Sequence, residues 1–454
     1  LPRNGLVGGP MLANMVRRQS ETLRRLDLSH NPLLLGNSSS SSSSSSTRSL
    51  QQRNDGSDLA EVLVTSRLVV LNLEYCKLGS KSAAIIASLL RRNDTVRELY
   101  LGHNDIGTKG IGTMAADLAS NTTLEVLDVS HNKIKAKGAS ILAKALQSEP
   151  NSNSTNNNNN LRILDVTCNR IGAMGMQAFA RMLSMDKTIE GFYVGTNNLG
   201  WEGAAMLASV LKVNYRLRDL RLPDNRIQDD GAILIATEGL TENDTRNTAL
   251  ERLDLGWNEI GEDGAMALAE TLRENGKLSY LDLTGNQVGC QGAAALAEAL
   301  ASNFSLQELI LTKNHLGNDG AFSLALALGK PTCGIKTMSW NDNPIAEEGM
   351  KALTRVPQLR NNQKLWLGDT LKALAKGNIS SVNFMNRVTG DEELLLLCDI
   401  LSQNNPLVRS LWLSGRTASA RGILPLIDRA LPSPSNVERI YLKDFSIGDE
   451  IATS

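Results

Sequence analysis

One pattern recurs along the chain and limits what it can fold into. The segments LEVLDVSHNKI (Leu124–Ile134), LERLDLGWNEI (Leu250–Ile260) and LSYLDLTGNQV (Leu278–Val288) all read L-x-x-L-x-L-x-x-N-x-L. Copies begin at residues 23, 68, 96, 124, 161, 189, 217, 250, 278, 306 and 335, and weaker ones at 379, 408 and 437. Six of the thirteen spacings are 28 and three are 29; the longer ones coincide with visible insertions. One such unit cannot bury its own apolar face, so like units must stack into a continuous core. The length of 454 residues alone would suggest two or three domains. The repeat replaces that expectation with one long array.

Each unit divides into two halves. The L-x-x-L-x-L half alternates with period 2, which predicts a short strand. The second half predicts a helix: in Gly261–Asn275, Ala265, Leu268, Ala269 and Leu272 fall on one stripe. A glycine stands four residues after the last apolar strand-half position in nine units, from Gly110 and Gly138 to Gly349. A small residue there lets the helix begin close to the turn, and the alanine that usually follows lets it pack tightly against the strand.

Between the halves lies an asparagine column: Asn31, Asn104, Asn132, Asn169, Asn197, Asn225, Asn258, Asn286, Asn314 and Asn343, with Cys76 replacing it once. The chain leaves the strand here, and inward-facing backbone groups need partners. A carboxamide both donates and accepts, so stacked asparagines are expected to form a ladder.

These residues resemble the leucine-rich repeats of the ribonuclease-inhibitor type, whose units are 28–29 residues long. The likeness covers residues 23–350 well, 379–450 loosely, and extends to the Asn-or-Cys alternative at Cys76. It implies an α/β solenoid, a curved horseshoe with a parallel concave sheet and convex helices. The expected organisation is an N-terminal flank (1–22), repeats over 23–355, an irregular insertion (356–378), and degenerate C-terminal repeats (379–454) that read as a capping region or, alternatively, as a separate C-terminal module. Disordered insertions are expected near 37–57, around the serine run Ser38–Ser46, and near 149–160, with a shorter one at Asn243–Ala249.

A horseshoe presents its concave side chains in rows, one repeat apart. The row between the two strand leucines runs Asp27, Asn72, Tyr100, Asp128, Asp165, Tyr193, Arg221, Asp254, Asp282, Ile310, Ser339. The row before the asparagines runs His30, Tyr75, His103, His131, Cys168, Thr196, Asp224, Trp257, Gly285, Lys313, Asp342. Tyr, Trp and Arg are enriched at binding hot spots. A partner site is therefore expected over Tyr75, Tyr100, His103, Asp128, His131, Asp165, Tyr193, Arg221, Asp254, Trp257 and Asp282.

Other chemistry is weaker. His103, His131 and Cys168 stand in line, but a straight row makes a poor tetrahedral cage, and strand spacing exceeds usual ligand separations. The neighbouring pairs Asp128/Asp165 and Asp254/Asp282 lie on an open sheet with no pocket to raise one pKa. Lys133, Lys135 and Lys137 read as a solvated turn, Trp201 as packing, Trp340 as a strand core residue; Trp366 is unexplained. The sequons at Asn93, Asn121, Asn303 and Asn378 are expected by chance. Phosphate-loop, dinucleotide, zinc-protease and nucleophile-elbow motifs are absent from the sequence. No catalytic residue, metal or cofactor is expected.

A formal net charge of −1 with 21% charged residues argues against a polybasic nucleic-acid or membrane-surface protein. No run of ~18 apolar residues suggests a spanning helix. Five scattered cysteines without a C-x-x-C pair suit a reduced, cytoplasmic protein. Beginning at Leu1, the chain reads as a fragment, and its end at Ser454, without a polar cap, as a second truncation. The leading expectation is a scaffold that binds a protein on its concave face. The resemblance also extends to Ran GTPase-activating proteins, implying a small GTPase as partner, and to the sensor repeats of NOD-like receptors, whose nucleotide-binding module would lie upstream.

Overall fold

The computed structural model describes residues 10–33, 57–147, 160–186, 188–241, 249–356 and the strands 381–384, 410–414 and 439–443. The serine run, the asparagine run at 151–159 and the segment after Val356, with Trp366 and Asn378, lie outside the described residues.

Contacts divide the chain into two compact units, Leu1–Leu353 and Thr354–Ser454. In the first, eleven three-residue strands pair in parallel in sequence order, from β1 (Arg25–Asp27) to β11 (Thr337–Ser339). Each strand begins two residues after a repeat start read from the sequence. The second unit holds three parallel strands, β12 (Ser381–Phe384), β13 (Ser410–Ser414) and β14 (Arg439–Lys443), at the weaker copies. Helices alternate with the strands of the first unit, giving an α/β horseshoe solenoid.

The strands are short because only the middle residue of each points inward. Leu71, Leu99, Leu127, Leu164, Phe192 and Leu220 are fully buried in one column, and the flanking residues face out. The helices supply the opposite wall, as with Gly264, Ala265, Leu268, Ala269 and Leu272 on the helix Glu262–Leu272. At the longer spacing before residue 250, the helix Gln228–Leu234 runs on into a π-helical turn, Ile235–Leu240.

The glycine column does more than admit the turn. A Cβ at Gly231 would lie 2.4 Å from Ile227 Cγ2 and 2.8 Å from Ala204 Cβ, on the helix of the preceding repeat. The glycine thus clears its own turn residue first, as the sequence implies, and also lets neighbouring helices approach.

The asparagine ladder is present. Asn132 Nδ2 donates to the carbonyls of Leu101 (2.8 Å), Val129 (3.1 Å) and Ser130 (2.9 Å), while its Oδ1 accepts the N–H of Asn104 and of Ile106, each at 3.1 Å. The same scheme runs through Asn104, Asn169, Asn197, Asn225, Asn258, Asn286, Asn314 and Asn343. At Cys76 the thiol donates to the Leu28 carbonyl at 3.2 Å, but it has no amide oxygen to offer the preceding repeat.

The sequons at Asn93, Asn121 and Asn303 stand in a second polar column. Asn93, Asn121, Asn214, Asn275 and Asn303 are all buried, three residues ahead of a repeat start. Asn121 Nδ2 donates to the Leu90 carbonyl at the end of the preceding repeat's helix, and its Oδ1 accepts the N–H of Thr123 and Leu124. Asp186 fills the column once, accepting from Thr188 and Ile189. The sequon residues Thr95 and Ser305 bond earlier repeats through their hydroxyls, so the sequons at Asn93 and Asn303 are structural elements, not coincidences.

Candidate functional site

The two rows described from the sequence lie in register on the sheet face and its rim. Asp27, Asn72, Tyr100, Asp128, Asp165, Tyr193, Arg221, Asp254, Asp282, Ile310 and Ser339 are successive strand partners. A third row on the other flank of the buried leucines also faces out: Arg25, Glu98, Asp219, Arg252, Tyr280 and Glu308 among others. Sequence reading missed it because these positions share no residue type, although the alternation of a strand with one buried face implies it.

The rim row adopts an unusual backbone. His30, Tyr75, His103, His131, Cys168, Thr196, Asp224, Trp257, Lys313 and Asp342 all have φ between 53° and 58°. This left-handed region costs a non-glycine residue roughly 1–2 kcal/mol. The ladder bonds hold it there: the Asn after each rim residue donates to the carbonyls just before that residue, as Asn104 does to Leu101 and Gly102, and its own N–H meets the next Asn Oδ1. Local preference thus yields to buried hydrogen bonding.

The kink stacks the rim side chains. His30 lies over Tyr75 at 4.3 Å between ring centroids, Tyr75 over His103 at 3.8 Å, and His103 over His131 at 3.7 Å. These imidazoles are closer than strand spacing suggests, so separation does not argue against a metal here; orientation does. Rings within 14° of parallel carry their nitrogen lone pairs side by side, not toward one point. Among the described residues no group of three His, Cys, Asp or Glu could hold a metal ion. Burial lowers the pKa of both His103 and His131, and the neighbouring imidazole lowers that of His103 further.

Farther along, Tyr193 and Arg221 form a linked pair. The Arg221 guanidinium sits 4.2 Å from the Tyr193 ring centroid and contacts Asp219 through Nε (3.1 Å) and Nη2 (2.7 Å). The Tyr193 hydroxyl donates to the same Asp219, and burial pushes its pKa up to about 12. Arg252 lies 3.8 Å over Tyr280 in the same manner. Trp257 is 51% exposed and rests on the next rung, where a Cβ on Gly285 (φ +70°) would come within 2.4 Å of its indole. Lys313 Nζ, one rung farther on, lies 5.2 Å from its ring centroid. Gly285→Ala is expected to displace the indole and red-shift its emission, with a loss of about 1 kcal/mol from the left-handed backbone. The shift should vanish in a Trp257→Phe background, and an unchanged spectrum would remove the glycine seat.

The carboxylates differ from expectation. Burial, then the charge of Asp128, raises Asp165 to about 6; burial raises Asp254 to about 6, and Asp282 adds to it. No enclosed pocket is needed, because the side chains of adjacent rows exclude water well enough. Glu74 is raised for the same reason. Other readings also change. Lys133 pairs with Asp105 at 2.6 Å, Lys135 and Lys137 open the helix Lys135–Leu146, and Trp201 is 45% exposed instead of packed. Trp340 is buried, as its strand position implies.

Eight segments match the leucine-rich repeat family: residues 19–34, 92–115, 120–143, 157–180, 216–236, 246–269, 274–297 and 302–325. With the strand–helix period above, they make the chain a leucine-rich repeat protein. No curated protein matches it. Among solved structures it is similar to a chain of the yeast Rad7–Elc1 complex (15% identity, TM-score 0.45), covering 98% of this chain and 89% of that one. It is also similar to an internalin of Listeria monocytogenes (15%, TM-score 0.42), covering 78% and 95%. The leiomodin-1 actin-binding site 2 structure (16%, TM-score 0.26) covers 39% of this chain and 78% of its own. Among the described residues no helix is long and apolar enough to cross a membrane.

Proposed function

We propose that this chain is an interaction scaffold whose protein partner docks on the concave sheet face. One observation carries the reading: Tyr, Trp, Arg and carboxylate side chains stand there in register, outside the core, on a backbone held by buried hydrogen bonds. Leucine-rich repeat folds typically serve as binding scaffolds without chemistry of their own. The free thiols of Cys76, Cys168, Cys290 and Cys333 support a reducing compartment such as the cytoplasm.

Capture of partners from source-cell lysate, read by mass spectrometry, tests this. A partner held by the wild-type chain should be lost from the Tyr193→Ala, Arg221→Ala, Trp257→Ala variant. Identical captures would move the site off this face. The ribonuclease-inhibitor subtype and a small GTPase as the partner are narrower forms of the reading. A GTPase among the captured proteins calls for a Ran hydrolysis assay, where acceleration supports the activating role.

A further inference from the structure

We propose that the sheet face from Asp27 to Asp165, together with the ring ladder on its rim, docks an arginine-rich segment of the partner protein. This rests on the concave-face reading and adds the partner's chemistry.

The charge is segregated. The chain as a whole carries −1, yet in this stretch the strand face and the turn beyond it hold Asp27, Glu74, Glu98, Asp128 and Asp165 against Arg25, while Arg24, Arg97 and Arg162 stand apart at the strand-entry edge, Arg97 paired with Glu125. None of these five carboxylates takes part in an ion pair among the described residues. Their rotamers are nevertheless set. Asp27, Asp128 and Asp165 each accept, through Oδ1, the backbone N–H two residues on, at 2.9, 2.7 and 2.8 Å. A file of unneutralised carboxylates already fixed in place favours a cationic guest, since little side-chain entropy is left to lose.

The ladder selects which cation. His30, Tyr75, His103 and His131 stack in order, and the next rung is Cys168, which offers no ring. The stack therefore ends at His131, beside Asp128. A guanidinium is planar, stacks on rings and forks onto carboxylates; an ammonium does neither as well. The chain displays this arrangement within itself, where Arg221 covers Tyr193 and forks onto Asp219. In the Asp27–Asp165 stretch the rings and carboxylates are present but, among the described residues, no arginine lies over a ring, so the partner supplies it.

The test uses the full chain and two synthetic nonapeptides of equal charge, one arginine-rich and one lysine-rich, titrated by fluorescence anisotropy at two salt concentrations. The arginine peptide should bind about tenfold tighter than the lysine peptide. Asp128→Asn with Asp165→Asn, which keeps the Oδ1 acceptors, should weaken it at least about tenfold. His103→Ala with His131→Ala should erase the arginine-over-lysine preference. Asp263→Asn with Glu270→Gln, on the convex helix Glu262–Leu272, should leave binding unchanged, with circular dichroism confirming the fold of each variant. Equal affinity for the two peptides, equal loss from both carboxylate pairs, or no binding would overturn the proposal. A lysate partner still lost from the Tyr193, Arg221, Trp257 variant would show that the wider concave-face reading survives such a failure.

Discussion

Replacing Asn132 with alanine is expected to lower the unfolding free energy by about 3–5 kcal/mol, among the largest effects of any side chain outside the apolar core. The residue is fully buried and its side chain takes part in five hydrogen bonds. Two of them satisfy the N–H groups of Asn104 and Ile106 in the preceding repeat, and three satisfy carbonyls. Alanine leaves those buried groups facing a small apolar void. A buried donor or acceptor stranded in this way costs about 1–3 kcal/mol, and water entering the gap recovers only part of it. Cys76→Ala is the internal control. The thiol there already gives no acceptor, so its loss should cost about 1 kcal/mol, mainly the weak bond to the Leu28 carbonyl. Equilibrium urea unfolding compares the two, and amide exchange at Asn104 and Ile106 locates the damage. An Asn132→Ala loss as small as that of Cys76→Ala would mean the ladder is not what holds the turns.

The same ladder explains which parts of the molecule could be read from its sequence. Asn132 and its equivalents repeat one residue type at one interval, because every repeat makes the same two-sided bond. The second column was equally periodic, yet Asn93, Asn121 and Asn303 were lost among many other asparagines, and Asp186 broke the pattern. Its carboxylate keeps the acceptor role and drops the donor one, a distinction visible only with the partners in place. The third outward row could not be found by residue type, since Gly191, Asp219, Arg252 and Tyr280 serve no common structural purpose. The left-handed rim was also hidden: the histidines and aspartates tolerate φ near +55°, but nothing about Cys168 or Thr196 favours it, and long-range bonds impose it. The raised Asp165 arises from side chains contributed by other repeats, which linear spacing does not report.

Asp165 yields the second large effect, and its sign is opposite. Its folded pKa of about 6 stands above the ordinary 3.8, so the folded chain binds more protons than the unfolded one between those values. Stability must then fall as pH rises from about 4 to 6 and stay reduced above that. Asparagine cannot ionise, and its Oδ1 can still accept the Thr167 N–H. Asp165→Asn should therefore unfold about 2–3 kcal/mol later than the wild type at pH 8, with the difference closing by pH 3.5. His103 and His131 act in reverse: their lowered pKa means stability gained as pH rises toward 6.5. Both are present in the two proteins, so they drop out of the comparison. Denaturant titrations across pH 3.5–8 give the curve; a difference independent of pH would refute the buried-charge explanation. The ionised carboxylate is thus unfavourable in the free protein, and a docked guanidinium would relieve it by restoring a low pKa. Binding of the arginine peptide near pH 6 should accordingly release protons from the wild type, and fewer from Asp165→Asn. Calorimetry in buffers of different ionisation enthalpy can count them, linking the stability penalty at Asp165 to the cation it accommodates.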